Sequence, residues 1–157
     1  MNIIIRNATI DDLSRVQELN LSLFKKEHKE YDSLLDLNWT FGEMGTKYYE
    51  DRISKDDGCV IVASVDNQII GYLCGGLRKA ESYRRLPIVA ELENTFVLEE
   101  YRSKGIGKRM YDKFIEWCKT NNVGRVRVEA SAQNDLAIKF YRDNNFKDYM
   151  LVLEADL

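Results

Sequence analysis

The sequence predicts one α/β (α+β) domain built on a mixed sheet, from three observations. Residues 59–65 and 69–73 are β-rich runs on either side of Asp66-Asn67-Gln68, whose polar side chains suit a tight reversal, so an antiparallel hairpin sits mid-chain. Downstream the order is strand, helix, strand, helix, which calls for right-handed crossovers and locally parallel pairing. Apolar residues make up 45% and charged residues 31% of the 157, an ordinary globular composition in a chain long enough for one core, so a single domain is expected over 1–157.

Taken in order, residues 3–6 read as a first strand. Thr9 can cap the following helix while Asp12 reaches back three residues later. Leu13, Val16, Leu19, Leu23 and Phe24 recur at helical spacing, and Lys25, Lys26 and Glu27 close the polar end. From 28 to 57 the pattern is irregular, with Trp39, Phe41, Gly42, Gly45, Tyr48 and Tyr49 among scattered charges, and predicts a loop and a short helix. The hairpin comes next. A polar connection containing the only proline, Pro87, leads to a strong strand at 89–97, where Glu91, Glu93 and Thr95 alternate against Leu92 and Phe96. Two carboxylates then share one face. Met110, Tyr111, Phe114, Ile115, Trp117 and Cys118 mark an amphipathic helix that Asn121-Asn122 stops. Residues 125–130 alternate Val126 and Val128 with Arg127 and Glu129. Leu136, Ala137, Phe140 and Tyr141 give a last helix, and a final strand is expected near 150–153.

The bulk properties exclude several functions. A net charge of −3 with both signs interspersed provides no field for nucleic acid or an anionic membrane. Arg78, Lys79, Arg84 and Arg85 form only a local patch, read as a solvated loop. No apolar run approaches the roughly 18 residues that span a bilayer, and residues 1–6 lack the layout of a signal peptide, so the cytoplasm is expected. Cys59, Cys74 and Cys118 have no CxxC spacing and read as buried, reduced thiols. His28 stands apart from any cluster of ligating residues, so a surface histidine and no metal are expected.

The chemistry concentrates in Arg102-Ser103-Lys104-Gly105-Ile106-Gly107, between a strand and a helix start. Backbone N–H groups there lack helical partners and the helix dipole is positive, which favours a phosphate. The glycines permit close approach, and Arg102, Lys104 and Lys108 add cationic donors suited to a pyrophosphate. The segment is not a dinucleotide fingerprint, which needs a small residue where Met110 stands, nor a P-loop, which needs Gly-Lys-Ser/Thr. By itself it equally describes a tight connection with solvated basic residues.

Context distinguishes the two. The run Asn94-Thr95-Phe96-Val97-Leu98-Glu99-Glu100-Tyr101-Arg102-Ser103-Lys104-Gly105-Ile106-Gly107-Lys108 resembles the acetyl-CoA-binding motif of the GNAT superfamily of N-acetyltransferases. Asn134-Asp135-Leu136-Ala137-Ile138-Lys139-Phe140-Tyr141-Arg142-Asp143-Asn144-Asn145-Phe146 resembles its second signature, at the expected distance. The likeness is strong over 89–146; elsewhere only the element order agrees. It implies a GNAT-like mixed, mostly antiparallel central sheet flanked by helices, with acetyl-CoA as cosubstrate. The acetyl group would pass to a primary amine (a small amine, an aminoglycoside-like compound or a protein amino group) by direct attack in a ternary complex.

The same resemblance implies roles for individual residues. The backbone at Phe96, Val97 and Leu98 would pair with the pantetheine arm. Arg102 and the turn Ser103, Lys104, Gly105, Ile106, Gly107 and Lys108 would hold the pyrophosphate, mainly through backbone N–H groups. Asn134 would contact the cofactor, cap a helix, or both. Tyr141 matches the tyrosine that serves as general acid in many relatives; its alternative is a core aromatic. Glu93, Glu91 and Glu129 occupy the positions that supply the base in polyamine-type, histone-type and ribosomal-protein-type relatives respectively. Glu93 ranks first and Glu129 second; each, Glu91 included, could instead bind a cationic substrate or simply be solvated. Trp39, with Phe41, Tyr48 and Tyr49, falls where relatives wall the acceptor pocket, or packs the core. Asn145 stands where such families commonly have glycine, and tolerates the same left-handed conformation. Pairing of C-terminal strands into a homodimer is implied as well. The rival reading is a noncatalytic acetyl-CoA-binding or interaction domain, whose hallmark would be loss of the tyrosine or of every candidate carboxylate; the sequence keeps them all.

Overall fold

The computed structural model describes residues 2–157. One sheet holds five strands in the order β1 (Ile3–Asn7), β2 (Gly58–Val65), β3 (Gln68–Arg78), β4 (Val89–Val97) and β5 (Arg125–Val128). The first four pair antiparallel, and β5 pairs parallel to β4, so the mixed, mostly antiparallel architecture is present. Helices α1 (Leu13–Glu30) and α2 (Glu43–Ser54) cover one face; α3 (Ile106–Thr120) and α4 (Asp135–Asp143) pack on the other.

Alternation along β2 and β3 builds both layers at once. Ile61, Ala63, Val65 and Leu73 enter the α3 side, while Val60, Val62, Tyr72 and Cys74 enter the α1–α2 side. Strands covered on both faces read as continuous apolar runs, which is why this hairpin stands out in the sequence. The reversal is two residues, Asp66 and Asn67, at φ 49° and 64°; Gln68 already belongs to β3. Two successive left-handed residues match the right-handed strand twist, and Asp and Asn tolerate that region best after glycine.

β3 runs to Arg78, five residues beyond its apolar stretch. Gly75 does not stop the strand; a Cβ there would lie 2.5 Å from the Glu91 carbonyl oxygen and 2.8 Å from the Phe114 ring, so only glycine lets β4 and α3 approach so closely. The register shifts here: Cys74 faces Asn94 and Gly75 faces Leu92, leaving Glu93 as the extra residue of a β-bulge. Glu91 and Glu93 do share a face. Past the bulge, however, Asn94 and Phe96 join that face, where Tyr49 Oη donates to Asn94 at 3.1 Å, and Thr95 turns to the opposite side rather than sharing the face of Glu91 and Glu93 as predicted.

Asp12 accepts the Thr9 amide at 2.8 Å and pairs with Arg6 at 2.6 Å, closing a 3₁₀ turn that precedes α1. α1 then continues through Glu30, one turn past the expected polar end. The irregular stretch resolves into a 3₁₀ turn at Trp39–Phe41 and the twelve residues of α2. Cys59, Cys74 and Cys118 are buried and free.

The expected last strand at 150–153 is absent. The tail is held by side chains: Arg142 pairs with Asp148 at 2.6 Å, and the guanidinium groups of Arg84 and Arg125 lie over the Tyr149 ring at 4.8 and 5.8 Å. β5 is four residues long and the tail forms no ladder with it, so Met150, Leu151, Val152 and Leu153 stay exposed despite their β-rich composition.

Candidate active site

The site begins where two strands part. β5 pairs with β4 only from Val89 to Leu92, so from Glu93 to Val97 β4 has no partner on that side. A free strand edge can take an extended amide-bearing ligand as if it were another strand. The bulge at Glu93 coincides with the parting and adds local twist.

The edge runs into the glycine turn. Ser103 and Gly105 both lie in the left-handed region, at φ 59° and 75°. Such residues turn successive N–H groups toward a common point, a geometry suited to anions. The first internal bond of α3 is from the Arg109 N–H to the Gly105 carbonyl at 3.1 Å, so the amides of Ile106, Gly107 and Lys108 have no helical partner, and no side chain caps them. A Cβ on Gly105 would meet nothing within 4 Å, so glycine is required there by conformation and the space beside it is open. Ile106 is buried and anchors the helix start.

The basic side chains mostly serve the turn itself. Arg102 Nε donates to the Val97 carbonyl at 2.8 Å and its guanidinium covers the Phe96 ring; Lys104 donates to the Glu100 carbonyl at 2.7 Å; Lys108 pairs with Asp112. What remains for an anion is chiefly backbone. Free amides at the turn and a free strand edge leading to it fit the two ends of an acetyl-CoA, its pyrophosphate and its pantetheine arm.

Tyr141 and Asn134 come from α4. Asn134 Oδ1 accepts the Ala137 amide at 3.1 Å, so it is the helix cap. Asn145 ends the helix in the left-handed region at φ 68°, and the Phe146 amide returns to the Tyr141 carbonyl at 3.1 Å. The Tyr141 ring is 8% exposed, packed between Phe140 and Phe146. Its hydroxyl has no protein partner among the described residues, yet no buried side-chain polar atom is left unsatisfied. The hydroxyl is therefore the exposed tip of a buried ring. Burial, then the charge of Glu27, push its pKa up to about 12, which keeps it a proton donor at neutral pH.

The three predicted carboxylates are all engaged by arginines. Glu93 receives Arg52 through both oxygens, at 2.5 and 2.8 Å, and also accepts Tyr48 Oη at 2.5 Å. Glu91 pairs with Arg78 at 2.6 Å, and Glu129, 65% exposed, pairs with Arg127 at 2.5 Å. Arg78, Arg84 and Arg127 also gather around Glu81, so that part of the basic patch is internally neutralised. Arg52 and Tyr48 carry no sequence signal of this role, because only the fold brings α2 over the bulge.

Trp39 stacks on Phe24 at 5.8 Å and meets Tyr48 at 5.6 Å, so it bridges α1 and α2. Tyr49 is fully buried and Phe41 is half exposed. A cleft of about 400 Å³ opens between α1 and the end of β4, lined by Ser22, Lys26, Glu30, Phe96, Leu98, Glu99, Glu100 and Arg102. Among the described residues no group of His, Cys, Asp or Glu is placed to hold a metal, and no helix is long and apolar enough to cross a membrane.

A mixed sheet whose fourth and fifth strands part beside an open helix N-terminus suits an extended ligand that carries an anionic group. The chain belongs to the acetyltransferase (GNAT) family, whose profile matches residues 15–146; the family's members are acetyl-CoA-dependent acyltransferases. It is 26% identical over 151 residues to an uncharacterized N-acetyltransferase of Methanocaldococcus jannaschii, covering 94% of this chain and 62% of that protein. An uncharacterized N-acetyltransferase of Archaeoglobus fulgidus is 25% identical over 137 residues, covering 87% of this chain and 92% of the relative. Among solved structures, a mutant of the BH1408 protein from Bacillus halodurans superposes with a TM-score of 0.84 at 22% identity, over 98% of this chain and 99% of that one. An aminoglycoside N-acetyltransferase, AAC(6′)-Iy, solved with CoA, superposes with a TM-score of 0.78 at 18% identity, over 99% and 95% of the two chains.

Proposed function

We propose that this chain transfers the acetyl group of acetyl-CoA to a primary amine on a small cationic acceptor, by direct attack without a covalent enzyme intermediate. The observation that carries the reading is the free edge of β4 at 93–97 running into the unpartnered amides of Ile106, Gly107 and Lys108. Bound there, acetyl-CoA would supply an activated thioester with its pyrophosphate on the turn. The protein's part is to position the amine, remove its extra proton and return a proton to the departing sulfur. Tyr141, with its exposed hydroxyl, is the donor in this reading.

The acceptor side favours a cation. Glu30, Glu99 and Glu100 outnumber Lys26 and Arg102 in the cleft lining, and the Phe96 ring joins them. An aminoglycoside-like or polyamine acceptor suits that mixture, and aminoglycoside acetyltransferases are among the proteins of similar fold. Trp39, stacked between Phe24 and Tyr48, supports the α1–α2 layer that carries one wall of the cleft. The cytoplasm and pairing between copies through the exposed 149–153 segment belong to the same reading, supported by three free thiols and an unpaired apolar tail.

The noncatalytic alternative draws on one observation: Glu93, Glu91 and Glu129 are all held by arginines. To act as base, Glu93 would first have to be released from Arg52 and Tyr48, which occupy both of its oxygens. The two readings separate in one assay. Release of CoA thiol from acetyl-CoA is measured across polyamines, aminoglycosides, amino acids and lysine peptides; turnover is expected with small polyamines or aminoglycosides, and acetyl-CoA binding without turnover of any amine supports the noncatalytic domain.

A further inference from the structure

Six carboxylates of the described residues are withdrawn from full exposure: Asp12, Glu27, Asp51, Glu81, Glu91 and Glu93. Five sit in ion pairs with Arg or Lys. Glu27 alone has neither an ion pair nor a side-chain hydrogen bond, since the neighbouring Lys26 turns to Glu30 at 3.2 Å. Because no buried polar atom is left unsatisfied, the Glu27 carboxylate reaches accessible space. It is a half-buried acid with no ion-pair partner, next along α1 to Lys26 of the cleft wall.

Its place follows from the path of α1. Arg15 Nε binds the Ile69 carbonyl at 3.0 Å, Asn20 donates to Tyr72 Oη at 3.0 Å, and Ser22, Lys26 and Glu30 line the cleft against Phe96 and Leu98. The helix thus crosses from the start of β3 to the end of β4. Glu27 lies seven residues beyond Asn20, on the same stripe and about 10 Å further along the axis. Asn20 stands over Tyr72, whose register partner on β4 is Phe96, so the stripe carries Glu27 past β3 toward the free end of β4; the effects of its charge on Tyr72 and Tyr141 agree with that place.

We propose that Glu27 receives the ammonium group of the acceptor and takes its proton, as the general base of the reaction. The assignment rests on the acetyl-transfer reading above. The ammonium loses one proton to the Glu27 carboxylate, which passes it to solvent. The freed nitrogen lone pair forms the N–C bond to the acetyl carbon and the C–S bond breaks. The thiolate takes the Tyr141 proton, and the second proton lost by nitrogen restores the phenol. Desolvation raises the Glu27 pKa, with Lys26 opposing and Asp32 adding to the effect, which suits a group that must accept a proton near neutrality. The charged or titratable groups around it are Lys26, Glu30 and Asp32 on and beyond α1, Tyr72 on β3, Tyr141 on α4 and Arg102 across the cleft.

The test is kcat/KM against pH for the full chain and Glu27→Gln, with acetyl-CoA affinity and Tm measured alongside. The wild-type profile should rise through the Glu27 titration and level off. Glu27→Gln should fall about 100-fold or more at neutral pH and then climb with the acceptor's own amine titration, so that the gap narrows as pH rises. Acetyl-CoA affinity should be unchanged. A raised folded pKa means that ionised Glu27 works against folding as pH climbs through that value, so Glu27→Gln should match or exceed the wild-type Tm at neutral pH. Glu27→Asp should recover part of the rate. A Gln variant with the wild-type profile overturns the assignment and leaves acetyl transfer standing. A variant that loses rate equally at all pH values, or loses Tm, marks a structural role and also overturns it. If the wild type turns over no amine at any pH, the reading beneath it fails and takes the assignment with it.

Discussion

Replacing Tyr141 by phenylalanine is expected to lower kcat on the amine acceptor by about 100-fold or more, with acetyl-CoA affinity and Tm held. The ring carries the packing: it sits between Phe140 and Phe146 in the α3–α4 layer, and phenylalanine keeps every one of those contacts. The hydroxyl makes no protein hydrogen bond among the described residues, so its removal strands no partner. The variant therefore isolates the proton. Steady-state kinetics with thermal unfolding decide the point: wild-type kcat in the variant would return Tyr141 to the role of a core aromatic.

The largest expected effect on stability lies at the bulge. Arg52 and Glu93 are about four-fifths buried, and the carboxylate accepts three hydrogen bonds from Arg52 and Tyr48. Arg52→Ala leaves Glu93 charged and partly desolvated, which costs about 3 kcal/mol, whereas replacing both partners with apolar residues of similar size is close to neutral. For a chain of this length that is a fall of roughly 10 °C in Tm. The double variant Arg52→Met/Glu93→Leu should recover most of it. Thermal unfolding of the single and double variants checks this; additive losses would mean that the two residues act independently.

The sequence and the structure agree where local chemistry decides the backbone. Asp66-Asn67 between two apolar runs leaves the hairpin little choice, and Gly105 ahead of an amphipathic helix marks the turn that the structure makes there in the left-handed region. What the sequence conceals is set by long-range register. The bulge at Glu93 arises from pairing with Cys74 and Gly75 of β3, far back along the chain, and it alone turns Asn94 and Phe96 onto the face of Glu93. Gly75 carries no signal of its role in the sequence, because the Glu91 carbonyl and the Phe114 ring that require it are distant along the chain. The 150–153 run reads as a strand because composition reports β-propensity and not the presence of a partner.

Glu27 shows the same limit from the opposite side. Beside Lys25 and Lys26 it looks like the solvated end of a helix, but Val16, Asn20, Leu23 and Glu27 recur at four-three-four spacing, one stripe of α1. Polar residues on an inward stripe were the available signal. Asn20 spends its polarity on Tyr72 and Thr40, while Glu27 keeps its own unspent.

The central claim is that the β4 edge and the turn at Gly105 bind acetyl-CoA, and titration calorimetry of acetyl-CoA into the full chain and Gly105→Val tests it most directly. The open space around the Gly105 Cβ position lets the variant fold, while its φ of 75° costs a branched residue about 1–2 kcal/mol and turns the amides away from the anion. The account predicts one site per chain in the wild type and binding weaker by roughly tenfold or more in the variant. Absence of binding to the wild type, or equal binding by both proteins, would contradict it.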